Sequence, residues 1–124
     1  NVPSRFFSMP FINGRIALIA PLAQGLMVSD SIFSAKGVYV QGFAMDQINL
    51  PRFHTQPYRD LIPPDRMTHF DIAANGNHSA FIAPFAKRVT DVEEIDAAID
   101  PPGFDRRAFL ARLNADLVSF FSEE

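Results

Sequence analysis

Runs of apolar residues in the first third of the chain predict two β-strands. Residues 16–20 are apolar at every position. The run is too short for a helix and does not alternate, which is typical of a strand buried on both faces of a parallel sheet. Residues 38–40 (VYV) form a second β-prone run, with Gly42 as its expected end.

A third run alternates between apolar and polar residues, which predicts a half-exposed strand at a sheet edge over residues 67–73. The alternation assigns the side chains to two faces: Thr68, Phe70 and Ile72 on one, Met67, His69 and Asp71 on the other. The pair Asn75-Gly76 signals a tight turn directly after this strand.

Two segments carry helical signals. A short helix is predicted over residues 57–62, with Pro57 in its first turn and two further prolines ending it. A longer helix is predicted over residues 105–121, with Asp105 at its amino-terminal cap. One stripe along this helix is apolar: Phe109, Leu110, Leu113, Leu117, Phe120 and Phe121.

The order of these elements predicts an α/β fold. Three strands alternate with connections and helices, and such alternation favours a mostly parallel sheet with helices packed on it. A length of 124 residues suits one domain. We therefore expect about three mostly parallel strands with flanking helices.

Composition narrows the range of functions. The net charge of −3 argues against nucleic-acid binding, which needs a basic surface. The chain has no cysteine, which excludes disulfides, thiolate metal sites and a cysteine nucleophile. Its longest apolar runs are far shorter than the roughly 20 residues that span a bilayer, so no membrane span is expected.

An aspartate and a histidine follow two of the predicted strands. Asp46 comes after the second strand and His78 after the third, so both are expected at the carboxyl edge of the sheet, where such sheets keep their sites. An acid that orients a histidine is two-thirds of a nucleophile–histidine–acid triad. Spacing alone leaves open the simpler interpretation that Asp46 caps a turn and His78 is a surface residue.

Four motifs, in order, resemble the α/β-hydrolase superfamily, specifically the C-terminal part of the predicted dienelactone hydrolases related to platelet-activating-factor acetylhydrolases. The motifs are residues 15–21 (RIALIAP), residues 38–42 (VYVQG) with Asp46 and Pro51, residues 77–84 (NHSAFIAP) and residues 100–106 (DPPGFDR). In the family these look like the sixth strand, the seventh strand with its acid loop, the histidine loop and the segment before the closing helix.

The resemblance implies that Asp46 is the triad acid and His78 the triad base of a serine hydrolase. The substrate would be a small-molecule ester or lactone, and no cofactor or metal is implied. Residues 1–124 would form the C-terminal part of a single hydrolase domain whose nucleophile-bearing part is absent. A complementary N-terminal chain, or a homo-oligomer joined through the open edge of the first strand, would then complete the sheet.

The sequence departs from the family in two respects. No Gly-x-Ser-x-Gly nucleophile motif is present, and the oxyanion-hole elements associated with it are missing too. Phe85 and Ala98 stand at two positions where the group often has cysteines. Both cysteines are absent together, as we expect if they normally pair with each other. Alone, this chain is therefore expected to be inactive as an ester hydrolase.

Other interpretations stay open but are less favoured. Four serines, Ser29, Ser31, Ser34 and Ser79, could replace the missing nucleophile only if one contacted His78. His54, His69 and His78 could in principle bind a metal together with Asp71 or Asp46. However, His69 and His78 lack the i, i+4 spacing of a helical metal motif, and no His-Glu-x-x-His motif is present. The alternative from another functional class is a non-enzymatic small α/β domain that binds a partner or ligand, and a stable, cooperatively unfolding monomer would favour it.

Overall fold

The computed structural model describes residues 14–21, 34–82 and 99–123. These residues form three strands and three helices. In chain order they are β1 (Arg15–Ile19), β2 (Gly37–Phe43), α1 (Pro51–His54), α2 (Gln56–Leu61), β3 (Met67–Ala73) and α3 (Arg106–Ser122). Every strand and helix predicted above is present, and α1 is an additional turn of helix that the sequence did not reveal.

The three strands form one parallel sheet in the order β1-β2-β3. β2 is central, and all seven of its residues are buried. β1 is buried at four of its five positions, as its uninterrupted apolar run predicts. Among the described residues β1 pairs with β2 alone, and both of its faces are covered within the chain. The α/β fold class is confirmed.

Helices cover the sheet on both faces, because alternate residues of each strand point to opposite sides. On one face, α2 packs over a cluster formed by Ile16, Leu18, Ala35, Val38, Val40, Tyr58 and Ile62. On the other, α3 packs over Ala17, Ala20, Tyr39, Phe43, Ala80, Phe109, Leu113 and Phe120. The apolar stripe predicted for the last helix therefore lies against the sheet. Asp105 caps that helix as predicted, because its carboxylate accepts a hydrogen bond from the amide of Ala108.

The facing predicted for β3 is wrong at its first two residues. Val38 of β2 pairs with Met67 and Tyr39 pairs with His69, so Thr68 is an extra residue in a β-bulge. Met67 therefore packs with Phe70 against the α2-side cluster and not beside His69. The bulge shifts the alternation by one residue at the start of the strand, and the predicted facing holds from His69 onward.

A glycine in β2 allows the helices to approach the sheet closely. A Cβ at Gly42 would lie 2.6 Å from Oγ1 of Thr55, the buried residue between α1 and α2. Gly42 is thus inside β2, which continues to Phe43, and does not end it as predicted. This contact anchors α1 and α2 behind the carboxyl end of β2, next to the loop that carries Asp46.

Candidate active site

Asp46 and His78 meet at the carboxyl edge of the sheet. Asp46 follows the end of β2 and His78 follows the end of β3, and the parallel pairing of these strands brings both loops to one edge. His78 Nδ1 lies 2.8 Å from Asp46 Oδ2. The structure thus brings together the two residues that the sequence predicted as an acid and base.

The loop after β2 is built around the Asp46 carboxylate, whose side chain is only 1% exposed. Oδ1 accepts hydrogen bonds from the amides of Ile48 at 2.9 Å and Asn49 at 2.7 Å. Oδ2 remains for His78. A carboxylate can only accept hydrogen bonds, so the geometry fits the imidazole tautomer that carries its proton on Nδ1. Asp46 does shape a turn, as the simpler interpretation held, but it also contacts the histidine.

The histidine loop, residues 77–82, holds His78 between a buried partner and an accessible side. The His78 side chain is 24% exposed, and its amide donates to Asn77 Oδ1 at 2.7 Å. Its ring is nearly perpendicular to the Phe81 ring, with the ring centroids 6.4 Å apart. Within the described residues the ring makes one hydrogen bond, to Asp46, so Nε2 is the nitrogen left to exchange a proton with a reactant.

Gly76 sets how closely the histidine loop approaches the sheet. A Cβ at this position would lie 2.4 Å from Cδ1 of Phe43, at the end of β2. The Gly76 carbonyl accepts a hydrogen bond from the amide of Met45, next to Asp46. The two loops are therefore joined through their main chains as well as through the Asp46–His78 pair.

Asn49 is a supporting residue that sequence reasoning missed. Its Nδ2 donates at 2.9 Å to the carbonyl of Ala20, directly after β1. Ala20 has a positive φ of 47°, which is uncommon for a residue other than glycine. The acid loop, which follows β2 and carries Asp46 and Asn49, is thereby attached to the end of β1 as well as to the end of β2. An asparagine in a loop gives no sequence signal for such a long-range contact.

Of the four alternative serines, the two that the structure describes, Ser34 and Ser79, are not placed to act with His78. Ser29 and Ser31 lie outside the described residues. Ser34 precedes the start of β2, whereas His78 lies beyond the opposite end of the sheet, and seven strand residues separate the two edges by roughly 20 Å. Ser79 adjoins His78, but the only hydrogen bond of the imidazole in the described part of the chain goes to Asp46.

The three histidines occupy separate places. His54 ends α1, and His69 lies on the α3 side of the sheet, where it stacks on the Tyr39 ring at 3.9 Å. Residues 14–21, 34–82 and 99–123 contain no group of three histidine, aspartate or glutamate side chains that could hold a metal ion.

A second polar cluster lies under α3. His69 Nε2 lies 3.1 Å from Gln41 Oε1, and Gln41 Nε2 donates to Asp71 Oδ2 at 2.8 Å. The Tyr39 hydroxyl donates to Asp116 Oδ2 at 3.2 Å. Burial, followed by the charge of Asp116, raises the pKa of Tyr39 to about 12, and burial lowers the pKa of His69.

An apolar groove lies beside the acid loop. It has a volume of about 470 Å³ and lies between the end of β2, the start of α1 and β3. Its lining residues are Ala44, Leu50, Pro51, Arg52, Phe53 and Ile72. Met45, Ile48, Leu50 and Phe53 are all exposed apolar side chains of this region.

No protein-family model, curated protein or solved structure matches this chain. The relationship to the α/β-hydrolases therefore stays a prediction from the sequence motifs. Among helices of the described residues, none has the length and apolar character needed to cross a membrane.

Proposed function

We propose that Asp46 and His78 are the acid and base of a serine acyl-hydrolase triad that acts on a small ester or lactone. One observation carries the proposal. A buried carboxylate that is held by two loop amides meets a partly exposed imidazole at 2.8 Å, at the ends of two adjacent parallel strands. This arrangement provides the orientation that a triad requires. The substrate class is what the resemblance of the sequence motifs to the predicted dienelactone hydrolases implies.

In the proposed reaction, Asp46 holds the imidazole so that Nε2 faces the nucleophile. His78 Nε2 takes the serine proton as the serine oxygen attacks the acyl carbon, and then returns that proton to the leaving alkoxide. The acyl-enzyme is hydrolysed in the same way, with water in place of the serine. Asp46 stabilises the imidazolium that forms transiently in both halves of the reaction.

The serine belongs to polypeptide outside these 124 residues, because the sequence contains no Gly-x-Ser-x-Gly motif. The chain alone therefore supplies two members of the triad and no oxyanion hole of the family type. We expect a fluorophosphonate probe to leave the isolated chain unlabelled. Stoichiometric labelling of a serine within the chain would contradict this assignment of roles.

The test is ester hydrolysis by the protein expressed from its native gene. His78→Ala is expected to lower kcat by about 10⁶-fold, and Asp46→Asn by about 10⁴-fold, because the asparagine amide favours the wrong imidazole tautomer. His54→Gln and the exposed Asp65→Asn serve as matched controls and are expected to keep full activity. Equal activity of His78→Ala and the control variants would refute the proposal.

The apolar groove beside the acid loop favours a second candidate, a non-enzymatic domain that binds a small apolar ligand. Its volume of about 470 Å³ is within the range of ligand sites. Under this alternative, Phe53→Asp abolishes ligand binding and His78→Ala does not. Under the hydrolase proposal, His78→Ala abolishes turnover whatever the effect at Phe53.

A further inference from the structure

A buried arginine links the start of α3 to the histidine loop. Arg106 is only 4% exposed. Its Nη1 donates to the carbonyls of Ser79 at 2.5 Å and Ile82 at 3.0 Å. Ser79 directly follows His78, so the Arg106 guanidinium holds the main chain of the histidine loop just C-terminal to His78.

The carboxylate of Asp100 balances the charge of Arg106. Nε lies 3.0 Å from both carboxylate oxygens of Asp100, and Nη2 donates to Oδ1 at 2.8 Å. This planar, two-point contact leaves Nη1 directed at the two carbonyls. A lysine has no second nitrogen with which to hold both sides at once.

Helix stability does not account for an arginine at this position. Arg106 is the first residue of α3, where the positive end of the helix dipole disfavours a cation, and the first turn contains no acidic residue. Burying a charge is also costly unless it is paired and fully hydrogen-bonded. The contacts that offset both costs go to Asp100 and to the histidine loop, which places the role of Arg106 outside its own helix.

The amino side of His78 is fastened to the same segment. Asn77 Nδ2 donates to the carbonyl of Ile99 at 3.2 Å, and Asn77 Oδ1 accepts from the His78 amide. The segment before α3 is itself a compact turn, closed by the Phe104 amide on the Pro101 carbonyl. Residues 99–106 therefore hold the histidine loop on both sides of the imidazole.

We propose that Arg106, held by Asp100, is a positioning residue that fixes the main chain of the histidine loop so that His78 Nδ1 meets Asp46. Its consequence for catalysis rests on the proposed function. The effect of Arg106 on the His78–Asp46 hydrogen bond does not rest on the proposed function, and it can be measured in this chain.

The first experiment is NMR on the chain. Arg106→Lys and Asp100→Asn are compared with Arg107→Lys, an exposed neighbour on the same helix. In the two test variants, hydrogen exchange is expected to accelerate about tenfold or more at the His78 Nδ1 proton and at the Ala80 and Ile82 amides, because the loop opens locally. Exchange at α3 amides such as that of Leu113 is expected to stay unchanged, and Arg107→Lys to match the wild type.

Equal acceleration in α3 and in the histidine loop would show a merely structural role and overturn the proposal, as would no change in either. Asp100→Asn preserves the shape of the side chain and is the informative variant if Arg106→Lys does not fold. Failure of both variants to fold would assign the pair to the fold as a whole and also overturn the proposal.

The second experiment separates this inference from the proposed function. In the active hydrolase, Arg106→Lys is expected to lower kcat by about 10- to 100-fold with KM unchanged, because the base is misplaced while the substrate pocket is intact. An inactive His78→Ala together with a fully active Arg106→Lys would refute the positioning role alone. A fully active His78→Ala would refute the proposed function.

Discussion

At the scale of single residues, two ionisable rings under α3, those of Tyr39 and His69, are expected to make the stability of this protein depend on pH. Gln41 uses its amide nitrogen to donate to Asp71 and to the Gly42 carbonyl, so its oxygen accepts from His69. His69 therefore carries a proton on Nε2. Burial favours the neutral forms of both Tyr39 and His69. The free energy of unfolding therefore falls at any pH at which either side chain is neutral in the folded state but charged in the unfolded state.

The alkaline limb of stability is predicted to depend on Tyr39. The unfolded tyrosine ionises near pH 10 and the folded one near pH 12, so the unfolded state binds fewer protons between these values. The stability that Tyr39 contributes is complete below pH 10, and up to about 2 kcal/mol of it is lost as the pH rises toward 12. Urea unfolding from pH 9 to 11.5 measures this loss.

Tyr39→Phe is the control, because phenylalanine cannot ionise. The variant is expected to be less stable than the wild type at pH 8 by about 1 kcal/mol, from loss of the hydrogen bond to Asp116. The gap is expected to narrow above pH 10. Parallel pH profiles for the two proteins would contradict this account of Tyr39.

On the acidic side the sign reverses for His69. Its pKa is lowered in the folded state, so the unfolded state takes up a proton first as the pH falls below about 6.5. The stability that His69 contributes is complete above that pH and declines below it. The stacked pair of Tyr39 and His69 thus favours a plateau of stability around neutral pH.

At the scale of elements, α3 connects the core to the histidine loop. Phe109 packs on Phe43, at the end of β2, with ring centroids 5.4 Å apart. Three residues earlier along the helix, Arg106 reaches the carbonyls of the histidine loop. The packing of one face of α3 therefore determines where the first residue of that helix holds His78.

Truncation of Phe109 is predicted to destabilise the protein by about 3 to 5 kcal/mol, because Phe109→Ala leaves a cavity between α3 and the sheet. Val118→Ala is the matched control on the same helix. Val118 is 69% exposed, and its truncation is expected to change stability by less than about 0.5 kcal/mol. Chemical denaturation of the two variants gives both values, and similar losses would show that α3 does not pack as described.

The sequence reveals those elements whose burial has a simple period. β1 is buried on both faces and is apolar throughout, and α3 has an apolar stripe, so both were predictable. The bulge at Thr68 was not, because inserting one residue into the pairing leaves the composition of the strand unchanged. α1 is a single turn, too short to show a helical period.

The candidate site could be predicted only in part for a related reason. Asp46 and His78 follow strands, so parallel pairing alone brings them to one edge. The contacts of Asn49 with Ala20 and of Arg106 with Ser79 join residues distant in sequence. Such pairs have no periodic signature, and only the packing of α3 and the loops reveals them.

At the scale of the whole molecule, the described residues form a three-stranded parallel sheet covered on both faces, with one polar pair at its carboxyl edge. The apolar groove lies beside that edge, next to the loop that holds Asp46. Ester hydrolysis requires three further components at this edge of the sheet: a nucleophile, hydrogen-bond donors for the oxyanion and a pocket for the acyl group. The proposal assigns the first two to polypeptide beyond these 124 residues, and the groove is a candidate for part of the third.

The most direct test of this account is fluorophosphonate labelling of the protein expressed from its native gene, followed by mass spectrometry of the labelled peptide. The account predicts one labelled serine, located outside residues 1–124 in polypeptide that purifies with them. Labelling is expected to slow by orders of magnitude in His78→Ala and to be unaffected in His54→Gln. Absence of any labelled serine, or labelling at the wild-type rate in His78→Ala, would contradict the central claim that Asp46 and His78 activate a serine nucleophile.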